Sequence, residues 1–264
     1  MANKGMSSED LSDLRYAKSL LENPSLTARI ANVVGLPIEK FIERLPEGAR
    51  EVIRTATTKS LEAALAFATS TMDDRRQDAA NWAHKIVVAA TGAAGGAFGL
   101  PALAIELPVS TIIMLRSIVD IARSEGECIK SPEAKLACLE VFALGGRARS
   151  DDAAGSSYFA VRGVLAKALA EAAEYIVERG VAQETAPPLI RLIAQIAARF
   201  GVPVSEKAMA QSLPIVGAAG GALINTLFID HFQDVGRGHF IVRRLERVYD
   251  PELVRREYLN LPLK

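Results

Sequence analysis

The stretch Asp230–Asp250, DHFQDVGRGHFIVRRLERVYD, contains two of the chain's three histidines. His231, Asp234 and His239 stand at i, i+3 and i+8. On one continuous helix they span an arc of roughly 140° and can face one cleft. A histidine and a carboxylate three residues apart is a spacing that metal sites in helical bundles use. Adding Glu106 gives a mixed nitrogen and oxygen set suited to a divalent metal such as zinc, iron or manganese. The same residues also fit a metal-free histidine–carboxylate site, or a structural network in which an acid holds a buried imidazole. Gly236 and Gly238 bear on the choice, because they can break the helix before His239.

Arginines crowd the same region: Arg237, Arg243, Arg244 and Arg247, then Arg255 and Arg256. Beside apolar surface, Arg237, Arg243 and Arg244 suit phosphate or lipid headgroups. The competing reading is a solvated helix pair balanced by Asp234, Glu246, Asp250, Glu252 and Glu257. Arg116 differs, since it follows nine uncharged residues, Leu107–Leu115. It is expected to be partly buried against a carboxylate, with Asp120, Glu140 and Glu106 as candidates.

Several reaction signatures are absent. There is no G-x-S-x-G elbow, H-E-x-x-H pair, P-loop lysine motif or C-x-x-C. GAAGGAFG has several glycines but follows no strand, which argues against a dinucleotide loop. Cys138 falls inside a helical pattern without a flanking glycine and makes a poor nucleophile. With Cys128 it is too few for a disulfide scaffold, and a reducing, cytoplasmic setting is expected. The polar N-terminus carries no apolar signal region. Lys plus Arg equals Asp plus Glu at 31 each, which gives no reason to expect nucleic acid.

The elements that must position these residues read as helices. SPEAKLACLEVFALGG has Ser131 as N-cap, Pro132 at the first helical position and Gly145 after the last turn. DPELVRREYLN repeats that opening with Asp250 and Pro251, and Pro187 and Pro188 open another helix. Val161, Leu165, Ala168, Ala172 and Ile176 share one apolar face. No segment alternates with period two. The expected fold is all-α, about ten helices in a single compact bundle. A helical region over 1–45 precedes a main helical domain over 46–264, with a flexible loop at about 146–157.

GAAGGA occurs twice, from Gly92 and from Gly217. Each copy lies in a long uncharged stretch, Ile86–Ile105 of 20 residues and Ala208–Ile229 of 22. These just reach the length of a membrane span, but they are rich in Ala and Gly and contain Pro101 and Pro214. Buried helices and shallow membrane insertion are the better expectations. Two glycines four apart let helix backbones approach closely. Superposing the copies places Glu106 on His231. The expected core is therefore two pseudo-equivalent kinked hairpins that bring Glu106 and His231 together.

Three stretches taken together, ELPVSTIIMLRSIVDIARSEGE, PEAKLACLEVFALGG and the block IAARFGVPVSEKAMAQSLPIVGAAGGALINTLFIDHFQDVGRGHFIVRRLERVYDPELVRREY, resemble the EcsC family of bacterial proteins. The resemblance runs from about Ile86 to Tyr258. It implies a bacterial, intracellular protein associated with a membrane, and it supplies no catalytic residue. Its blocks contain Glu106, Arg116, His231, Asp234 and His239. Two readings stand: a non-enzymatic factor that binds lipid, an acyl chain, the inner-membrane surface or a membrane-protein partner; and a hydrolase, metal-dependent or built on His and Glu.

Overall fold

The computed structural model describes residues 5–22, 26–35, 42–43, 45–70, 100–146, 157–179, 186–212 and 217–262. Among them every regular element is an α-helix: α1 (Ser8–Leu21), α2 (Leu26–Val34), α3 (Glu47–Ser70), α4 (Leu100–Ser124), α5 (Pro132–Leu144), α6 (Ser157–Arg179), α7 (Pro187–Ser212), α8 (Gly217–Val248) and α9 (Pro251–Asn260). The expected boundaries at α5 and α9 hold. The Ser131 hydroxyl accepts from the Ala134 amide, and Asp250 accepts from the amides of Glu252 and Leu253. Ser7 caps α1 in the same way. The loop expected at 146–157 lies almost wholly outside the described residues.

α8 is the axis of the arrangement. Its 32 residues extend about 48 Å, and Gly236 and Gly238 do not interrupt it. A Cβ on Gly238 would lie 2.7 Å from Leu21 Cγ and 3.0 Å from the Ala17 carbonyl oxygen, so this glycine lets α1 press against α8. α7 returns antiparallel to α8, with Lys207 beside Asn225 and Phe200 beside Phe232. α4 runs parallel to α8. Ser117 meets Gln233 and Glu125 meets Arg244, pairs 116 and 119 positions apart.

That parallel register corrects the repeat-based expectation. The superposition needs an offset of 125 between Glu106 and His231, whereas α4 and α8 meet at 116 to 119. The α8 residue level with Glu106 is therefore Asn225, and His231 lies about 9 Å further along the axis. The first glycine copy, Gly92–Gly96, lies outside the described residues.

α5 sits at the centre. Every residue from Ala134 to Ala143 is buried, because α3, α4, α6, α7 and α8 all pack on it. This is why it shows no one-sided apolar pattern. The main core joins α5 to α7 and α8 through Phe142, Phe200, Phe228 and Phe232, whose neighbouring rings lie 4.9 to 6.1 Å apart. A smaller core gathers Leu14 and Ala17 of α1, Tyr158 of α6, Ile241, Val242 and Leu245 of α8, and Val254 and Tyr258 of α9.

No helix among the described residues is long and apolar enough to cross a membrane. The stretch Ala208–Ile229 is divided between two helices, since α7 ends at Ser212 and α8 begins at Gly217. Most of Ile86–Ile105 lies outside the described residues.

Candidate functional site

His231 belongs to a joint between α5, α7 and α8. α5 ends in Leu144, Gly145 and Gly146, and its last carbonyls need donors. Nε2 of His231 donates to the Gly145 carbonyl at 2.8 Å. Arg199 donates to the carbonyls of Ala143 and Gly146 at 3.1 and 2.7 Å. Both side chains sit at the negative end of the α5 dipole, where a cation or an N–H donor is favoured. Pro203 lies inside α7 and cannot donate to the Arg199 carbonyl four residues back. A Cβ on Gly146 would overlap that oxygen, and one on Gly145 would overlap the Phe232 ring.

Against this joint lies a small cavity of about 20 Å³, lined by Thr27, Arg29, Glu206, His231 and Asp234 and walled by aliphatic side chains. It has room for about one water molecule, far too little for an acyl chain. α2 covers it, with Thr27 hydrogen-bonded to Glu206 and Arg29 lying 3.6 Å from Asp234. Burial pushes the Asp234 carboxyl up, opposed by Arg29. The joint therefore brings together His231 and Asp234 as the sequence suggested, and adds Glu206, Thr27 and Arg29. Each polar group in it serves to hold one helix against another.

His239 is not part of this cavity. It is fully buried on another side of α8, with Nδ1 3.0 Å from the Tyr158 hydroxyl and Nε2 3.7 Å from Glu140. Glu106 lies elsewhere again, ion-paired to Lys207 at 2.8 Å. Among the described residues no three His, Cys, Asp or Glu side chains are placed to hold a metal ion. The four expected ligands thus do not converge: His231 and Asp234 share the cavity, His239 faces Tyr158 and Glu140, and Glu106 pairs with Lys207.

The arginines are also placed differently from expectation. Arg243 is held by Glu127 at 2.8 Å; Arg244 is held by Glu125 at 2.8 Å and Asp13 at 2.6 Å. Arg247 reaches Glu127 and the Glu125 carbonyl. These partners come from α1 and the turn after α4, not from the local sequence. Arg243 and Arg244 are therefore committed to the fold, whereas Arg237 is exposed. Arg116 is exposed as well, contrary to its expected burial. The buried cation near α4 is Lys207 instead. Its side chain is 0% exposed, lies over the Phe228 ring and is bound to both Glu106 and Asn225 at 2.8 Å.

Lys207 shows a feature that spacing alone did not. By binding Glu106 and Asn225 it ties the start of α4, the end of α7 and the start of α8 into one pole of the molecule. In those parts, 100–115, 208–212 and 217–229, Glu106 is the only charged residue. Ile105 and Leu223 are exposed there, at 60% and 45%.

The model of the EcsC protein family matches residues 9–245, and the chain belongs to that family. No curated protein and no solved structure matches it.

Proposed function

We propose that this EcsC-family chain is a non-enzymatic accessory protein of the inner-membrane face, which rests its uncharged pole on lipid. The observation that carries the reading is the Lys207–Glu106–Asn225 tie. It gathers the uncharged parts of three helices, pairs the one charge among them with a buried lysine, and leaves Ile105 and Leu223 facing outward. Ile105 and Leu223 are about half exposed, so moving each from water into an apolar phase gains roughly 1 kcal/mol. Arg243 and Arg244 serve the fold in this reading, so attachment does not depend on anionic headgroups.

Vesicle flotation tests the proposal. The wild-type chain is expected to float with protein-free phosphatidylcholine vesicles, equally well at low and high salt. The double variant Ile105→Asp, Leu223→Asp should remain at the bottom while keeping its helical spectrum. Failure of the wild type to float with neutral or anionic vesicles would contradict lipid contact. Binding only to native inner-membrane vesicles would assign the pole to a membrane-protein partner.

A further inference from the structure

His239 lies where the two cores meet. Its neighbour Phe240 belongs to the main core, and Ile241 and Val242 belong to the smaller one. Nδ1 has the Tyr158 hydroxyl at 3.0 Å. Nε2 is buried without a hydrogen-bond partner, and the nearest acid is Glu140 at 3.7 Å. The surrounding charges are already matched. Arg162 of α6 holds Glu246 of α8 through two bonds of 2.7 and 2.9 Å. Arg243 of α8 holds Glu127 from the turn before α5. From α1, Lys18 donates to the carbonyls of Tyr258 and Leu261, while Asp10 and Asp13 face Arg244. From α9, the Tyr258 ring lies 5.7 Å from that of Tyr158, and Arg255 lies over Phe159. Among the described residues the charges that act on Glu140 are those of Arg162, Arg243 and Glu246. Glu140, His239 and Tyr158 are thus a buried set that must satisfy itself.

We propose that these three residues form a two-state proton relay across the seam between the cores. In the first state the Glu140 carboxyl keeps its proton and, closing the 3.7 Å gap, its O–H hydrogen-bonds to Nε2, while Nδ1–H donates to the Tyr158 oxygen. In the second state the carboxyl proton has passed to Nε2, the Nδ1 proton has passed to the Tyr158 oxygen, and the former hydroxyl proton has left to water. Nε2–H then donates to the Glu140 carboxylate, and the Tyr158 hydroxyl donates to Nδ1. One proton is released, the imidazole stays neutral throughout, and its tautomer reverses. Burial favours the neutral groups: it raises the Glu140 carboxyl to about 7 and, with Arg162 and Arg243, pushes His239 well below its ordinary range. The second state places an unbalanced carboxylate in the seam, which loosens the smaller core and with it α1 and α9.

Long-range proton–nitrogen NMR of the full chain reads the relay directly, with His239 assigned by comparison with His84→Gln and His231→Gln. The expected result is the Nδ1–H tautomer at acidic pH, the Nε2–H tautomer at alkaline pH, and no imidazolium in between. Amides of α1 and α9, corrected for intrinsic exchange, should open at least about tenfold more at the alkaline end. In Glu140→Gln the amide donates to Nε2 and cannot ionise, so His239 should stay Nδ1–H throughout. A single tautomer in the wild type across the range, or an imidazolium signal from His239, would overturn the relay. The wild-type titration decides this even where Glu140→Gln fails to fold.

Discussion

From Gly217 to Ile229 α8 carries no charged side chain, whereas from Asp230 to Val248 it carries Asp230, Asp234, Arg237, Arg243, Arg244, Glu246 and Arg247. The two halves are fixed in different ways. On the charged half, Arg243, Arg244 and Glu246 reach carboxylates or an arginine on other elements, and these pairs set the register of α1, α6 and the turn after α4. On the uncharged half a single buried lysine does the equivalent work for α4 and α7. Arg243, Arg244 and Glu246 therefore belong to the scaffold, and the uncharged half carries the surface that we propose rests on lipid. Of the three arginines suited to headgroups, Arg243 and Arg244 have carboxylate partners within the fold, and Arg237 is exposed.

The largest expected effect comes from the uncharged half. Lys207 is fully buried but Glu106 is one-third exposed, so the two partners are not equivalent. Glu106→Leu leaves an unpaired buried ammonium and should cost about 3–5 kcal/mol. Lys207→Met keeps the packing over Phe228, frees a carboxylate that can turn to water, and should cost about 1 kcal/mol. Urea midpoints of the two variants measure the difference, and equal losses would contradict the assigned asymmetry.

On the charged half the expected effect is a pH dependence. The Glu140 carboxyl is raised from an ordinary 4.5 to about 7 by burial. A raised folded-state value means stability fully present below about 4.5 and lost as pH climbs through about 7. The loss is on the order of 3 kcal/mol. Denaturation of wild type and Glu140→Gln at pH 5 and pH 8 isolates it, and the variant should lack this component. Equal pH dependence in both proteins would remove Glu140 from the account.

Between the halves, at the α5 joint, the effects are smaller. Gly146→Ala drives a Cβ into the Arg199 backbone and should cost about 1–3 kcal/mol. Gly236→Ala places its Cβ 3.4 Å from Ile118 and should be neutral or gain up to about 1 kcal/mol from helix propensity. Thermal melts should rank them in that order.

The helices themselves were legible in the sequence because their signals are local. Ser131–Pro132 and Asp250–Pro251 announce their own caps, and the α6 face repeats every three or four residues. The resemblance to the EcsC family was legible too, in blocks that carry the joint: the Gly145–Gly146 end of α5, Arg199 and Pro203, and His231. What those blocks do was not, because it depends on lateral register. Whether Glu106 faces His231 or Asn225 turns on how α4 slides along α8, and no short spacing encodes that slide. Lys207 looked like the edge of an apolar stretch, and only the crossing of α7, α4 and α8 turns it into a buried tie. By sequence Glu140 is a candidate partner for Arg116, yet α5 points it at His239. The arginine partners Asp13, Glu125 and Glu127 lie more than a hundred residues away in sequence.

The contrast within α8 can be measured on a single helix. Leu223 and Arg237 are both exposed and stand 14 residues, about 21 Å, apart. Spin labels at Leu223→Cys and Arg237→Cys, with exposed Cys128 replaced by serine, report collisions with oxygen, which favours lipid, and with a nickel chelate, which favours water. On adding phosphatidylcholine vesicles, the label at 223 is predicted to gain oxygen collisions and lose nickel collisions while the label at 237 stays unchanged. No change at 223 would contradict the claim that the uncharged pole rests on lipid.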